Sequence, residues 1–253
     1  MNVPQLKQAM LVGLICIDIW LIYLAASWGV ADLVAKQASY DMQQWEKQNI
    51  VKTDTWQTTI ATLRVAQFFE PHHPDFLEEM GKANYWLFSS GTITAAEKFM
   101  ALTQALDYYL KAAEQKPVSA DTWANIAILK SRLRQYDAQF ITALENATFL
   151  GPWEPFVQRA IADIGLAAWY RLPKQIVEKG RAIIFATVQR GMFRQAKLMT
   201  TLIKKHGREY VICVYSRKTS GEKNDEKTND KMVRGRSIVC DAFSRTSHYP
   251  RRP

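Results

Sequence analysis

Ala105, Tyr109, Ala112 and Pro117 are followed thirty-five residues later by Phe140, Leu144, Ala147 and Pro152. Two apolar sets of identical spacing, each closed by a proline, repeat at nearly the 34-residue period of a tetratricopeptide-type hairpin. Small and large apolar residues alternating on one helix face let a paired helix approach closely, and the proline stops the second helix before the next hairpin. Such a unit cannot bury its face alone. It stacks on neighbours and presents an extended surface to a partner.

At 253 residues the chain has room for one sizeable core, or a smaller domain with an anchor, and its 48% apolar content fits a folded protein. The formal charge is +9, unevenly placed: Ser216–Pro253 holds ten Lys/Arg against five Asp/Glu, or +5, leaving +4 on the rest. A body so weakly basic implies no dedicated nucleic-acid surface.

Residues 9–31 read AMLVGLICIDIWLIYLAASWGVA, with Asp18 the only charge. As helix this span covers roughly 34 Å, enough for a bilayer. An Asp near the centre costs about 2.5–3.5 kcal/mol, and the Leu, Ile and Val residues return roughly 3–6. A transmembrane signal-anchor is therefore expected over 9–31. A cleaved signal peptide ending at Gly29-Val30-Ala31 is the rival, and the apolar stretch is longer than a usual signal core. The few flanking charges, Lys7 before and Asp32, Lys36, Asp41, Glu46 and Lys47 after, favour a cytoplasmic amino terminus and a translocated body.

The remainder reads as all-α, with helical periodicity from Asp32 to Tyr215 and no alternation long enough for a sheet. A break is expected near Thr53, and Glu70-Pro71-His72-His73-Pro74 is a firm stop. Leu77, Met80 and Gly81 fit the first helix of a repeat, and Thr94-Ala-Ala-Glu97 has capping-box spacing for its partner. Ser119 is a natural cap for the next hairpin, in which Trp123 is expected to fill the space between paired helices. Leu172-Pro173 breaks the chain again, and apolar stripes follow over Ile176–Gln189 and Phe193–Lys205, punctuated by Gly191 and Gly207. Ser216–Lys231 lacks Val, Leu, Ile, Phe, Trp and Tyr, so residues 216–253 are expected to be a disordered basic tail.

Trp123-Ala124-Asn125, Leu150-Gly151-Pro152-Trp153-Glu154-Pro155 and Asp163-Ile164-Gly165-Leu166-Ala167-Ala168-Trp169, behind one amino-terminal span, resemble the VpsP family. These are bacterial proteins assigned to exopolysaccharide biosynthesis and found in gene clusters for surface polysaccharide. The resemblance runs over roughly Leu11–Tyr215 and implies a pathway. It supplies no catalytic residue to carry over.

Motifs of catalysis are absent: no glycine-rich phosphate loop, nucleophile elbow, or Cys/His ligand spacing. Asp54 and Asp163 have no carboxylate partner that sequence places, and His72-His73 reads as loop. Cys213 and Cys240 are a conceivable disulfide, and the sequon at Asn146 falls in a repeat helix. The expectation is a non-enzymatic, membrane-tethered helical-repeat adaptor without cofactor or metal. It would dock protein partners of the polysaccharide machinery from the bacterial inner membrane, its repeat domain (32–215) in the periplasm. Asn125, Arg132, Arg159 and Asp163 are the expected groove residues. The alternatives are a glycan-modifying enzyme of that pathway and a surface binder using the basic tail.

Overall fold

The computed structural model describes residues 3–91 and 93–221, and among these there is helix and no strand. The helices divide into two compact units, Met1–Lys116 and Pro117–Pro253. The first holds α1 (Val3–Gln48), α2 (Thr53–Phe69), α3 (Pro74–Ser89) and α4 (Ala95–Gln115). The second holds α5 (Ala120–Arg132), α6 (Ala138–Leu150), α7 (Pro155–Ala168), α8 (Val177–Lys205) and α9 (Glu209–Gly221).

In the first unit, α1 changes character at Ala31 without breaking. From Met10 to Val30 its large apolar side chains lie exposed; from Ala31 onward Ala31, Ala35, Ala38, Met42 and Trp45 are buried. The buried set repeats every three or four residues, the period of one helix face. Asn49, at φ 52°, takes the left-handed conformation that ends α1, and α2 returns antiparallel to it. Ala38, Met42 and Trp45 pack with Ile60 and Leu63 of α2 and with Met80 and Ala83 of α3. Pro74 opens α3 at its first position, where no backbone donor is needed.

The α3–α4 hairpin has the expected close crossing. A side chain at Gly81 would bring its Cβ within 2.6 Å of the Tyr109 ring. The capping box at the start of α4 is complete: Thr94 accepts from the Glu97 backbone and Glu97 accepts from the Thr94 backbone at 2.7 Å.

The second unit is two hairpins. α5 pairs with α6 and α7 with α8; α5 also packs along α7, and α6 along α8. Ser119 and Asp137 cap α5 and α6 through bonds from the Thr122 and Phe140 backbones. Phe140, Ile126, Leu129, Leu144, Ile161 and Ile184 fill the interior.

Three expectations need correction. Trp123 does not sit between paired helices; it is half-buried, and its indole N–H donates to the Pro117 carbonyl at 2.7 Å, tying the first turn of α5 to the preceding segment. Phe140, fully buried, occupies the hairpin interior instead. The two stripes after Pro173 are two helical segments of α8, as expected, but they meet at Gln195, where φ is −133° and ψ 39°, and not at Gly191. The kink folds α8 back so far that a Cβ at Gly191 would lie 2.7 Å from the Met199 side chain. Lastly, α9 continues through Gly221, into the segment expected to be disordered, with Ser216 buried. The rest of the basic tail, including Cys240, lies outside the described residues.

Candidate binding face

α5 and α7 lie side by side with α6 and α8 behind them, so each leaves one strip of surface. On α5 the strip is Asp121, Asn125, Ile128 and Arg132; on α7 it is Phe156, Arg159, Asp163 and Ala167. Both follow the three-or-four-residue spacing of a single helix face, and the positions between them are largely buried. All four expected groove residues fall on these strips. Arg132 and Arg159 are exposed, and Asn125 and Asp163 are half-buried.

Asp163 is held by α8. Its carboxylate accepts from Lys205 Nζ at 2.9 Å and contacts His206 Nε2 at 2.7 Å. Burial acts to raise its pKa, but the bonds from His206 and Lys205 outweigh it and hold the carboxyl below its ordinary range. Arg159, one turn before Asp163 on α7, is exposed, and the ion pairs of Asp163 are with Lys205 and His206. Arg208 completes the edge by donating to the Leu166 carbonyl at 3.1 Å while lying over the Tyr170 ring at 4.6 Å.

The face thus presents guanidinium and amide donors beside a carboxylate already neutralised by its neighbours. It can hold a peptide or glycan by hydrogen bonds and attract acidic groups. A glycosidase acid needs the opposite setting for its carboxyl, a pKa pushed upward. His73 stacks on Phe76 with ring centroids 4.3 Å apart, a packing role. Among the described residues no three His, Cys, Asp or Glu side chains are grouped to hold a metal.

The strings that carry the family resemblance are built into the packing. Gly151 ends α6 where a Cβ would meet Ala120 at 2.7 Å, and Pro155 starts α7. Buried Gln158 donates to the Pro152 carbonyl at 2.9 Å and accepts from Gln195, at the α8 kink, at 3.0 Å. Trp169 is wholly buried, edge-on to Tyr215 and beneath the Arg181 guanidinium. Sequence reasoning missed Lys205 and His206 as partners of Asp163. Their positions at the end of α8 carry no spacing that couples them to residue 163, so only the fold brings them together. No protein-family model matches the chain, and no curated protein matches it.

Proposed function

We propose that the chain is a non-enzymatic, membrane-tethered helical-repeat adaptor in bacterial exopolysaccharide biosynthesis or export. The observation that carries the tether is the switch within α1. Its amino-terminal half is long and apolar enough to cross a membrane and has no protein cover, while its carboxy-terminal half is a core helix of the first unit. An apolar surface of that length left in water is unfavourable at about 25 cal/mol per Å². A bilayer removes that cost. The continuous helix then joins anchor to the first unit with no linker, so that unit stands at a fixed height above the membrane.

The adaptor role is supported by the paired strips on α5 and α7, which offer donors without a catalytic arrangement. The pathway is supported by the VpsP resemblance, and a periplasmic body by the charges flanking the span. The combined Asn125→Ala and Arg159→Ala variant tests the face. Both side chains lie outside the core, so the variant should fold, remain in the membrane and fail to support polysaccharide export. Unchanged export would remove the α5–α7 face from the account. A reporter fused after Tyr215 tests the orientation: activity confined to the periplasm is expected, and a cytoplasmically active fusion contradicts it.

A further inference from the structure

Unit one carries an apolar patch whose height is set by the anchor. Leu33, Val34 and Val65 border one end of an open groove of about 510 Å³ between α1 and α2, with Gln37, Thr58 and Thr62 at the other end. Leu33 is 69% exposed and Phe68, one turn beyond Val65 on α2, is 80% exposed. The register between the two helices follows from their packing: Ala66 of α2 clusters with Ala31 and Ala35 of α1, and Thr59, whose hydroxyl donates to the Thr55 carbonyl at 2.9 Å, lies 3.4 Å from Asp41. Nine residues further along α2, Phe68 therefore comes level with Asp32, nine residues earlier on α1.

This inference rests on the anchor reading of α1. A 23-residue helical span covers roughly 34 Å, against a hydrocarbon core of about 30 Å flanked by about 5–7 Å of headgroup region. Ala31 then lies at the edge of the hydrocarbon, and Leu33 and Phe68 within about 3 Å of that edge. Lys36 and Arg64, both exposed, follow one turn further out, at the level of the lipid phosphates. Outward along the two helices, Leu33, Val65 and Phe68 give way to Lys36 and Arg64 and these to Thr58, while the turn after α2 that carries Glu70, His72 and His73 stands at the membrane-most end, level with Val30.

We infer that the membrane-proximal end of α2, through Phe68 and Val65 beside Leu33, is embedded in the lipid interface, so that the body rests on the bilayer at a second point besides α1. Exposed Asp32 keeps this belt from being uniformly basic, so what it recognises is the apolar–polar boundary and not anionic charge alone. Two points of attachment fix the rotation of the first unit about α1, which a single helix leaves free.

Spin-label accessibility in the full-length chain tests this. In a background of Cys16→Ser, Cys213→Ser and Cys240→Ser, nitroxides are attached through Phe68→Cys, Thr58→Cys or Trp20→Cys. The protein is reconstituted in vesicles of phosphatidylethanolamine and phosphatidylglycerol. All three native side chains are exposed or half-exposed, so labelling leaves the core intact. The label at 20 should favour oxygen strongly over a water-soluble nickel chelate, the label at 58 should favour the chelate, and the label at 68 should exceed 58 several-fold in its oxygen-to-chelate ratio. A label at 68 as chelate-accessible as that at 58, with 20 still lipid-buried, overturns the interfacial contact and leaves the anchor standing. Dipolar broadening between labels at 68 would assign the patch to a second copy and overturn it equally. Chelate access at 20 would show the anchor reading itself to be wrong.

Discussion

Trp169 and Trp123 show how differently one residue type is used in the second unit. Trp169 is fully enclosed by Tyr215 and Arg181, whereas Trp123 lies half-exposed with one hydrogen bond to Pro117. Trp169→Ala should therefore cost about 3–5 kcal/mol and Trp123→Ala about 1–2 kcal/mol, read by circular dichroism during urea unfolding of the detergent-solubilised chain. Equal shifts in midpoint would contradict the placement of the two rings. Glu79 of α3 makes a second residue-scale prediction. Burial raises its pKa, against the lowering effect of the hydrogen bond from Ser39 and of Lys82, and one carboxyl oxygen is buried without a partner. As pH rises past the ordinary carboxyl range, the unfolded chain loses this proton before the folded one does. The folded state is therefore penalised with rising pH, and the penalty is absent at pH values below the unfolded pKa. Wild type should gain stability relative to Glu79→Gln as pH falls from about 8 to about 5. A difference that does not vary with pH would mean that Glu79 is solvated.

The ends of the elements were legible because they are local chemistry. Thr94, Ser119, Pro74 and Pro155 each act within one turn of themselves, and each sits at the helix start that its residue type implies. Removing the cap with Thr94→Ala should cost about 1 kcal/mol in chemical unfolding, since it orphans the Glu97 backbone N–H at the start of α4. An unchanged unfolding midpoint would show that the capping box adds nothing to the hairpin. A break between the two stripes of α8 was legible but its place was not, because its cause is distant: Gln195 gives up helical geometry while its side chain reaches Gln158 and Pro155 on α7. Trp123 misled for a related reason. Spacing along a helix gives a side chain's azimuth but does not say that a preceding carbonyl waits within reach of its indole.

For the whole molecule, the sequence revealed the class and order of parts: an apolar amino-terminal helix, then helical hairpins closed by prolines. The four candidate groove residues fall on solvent-facing strips of neighbouring helices. The clasp of Lys205 and His206 on Asp163 spans more than forty residues and had no local signature. Nor did the sequence show that α1 runs from anchor to core as one helix, since periodicity is lost wherever every residue is apolar. That continuity is the central claim, because an anchor cut away at Ala31 would leave a soluble body and no interfacial contact. The direct measurement is intact mass spectrometry of the chain recovered from carbonate-washed membranes, beside the soluble fraction. The account predicts, in the membrane fraction, a chain that retains residues 9–31. A shorter chain beginning after Ala31, recovered in the soluble fraction, would contradict it.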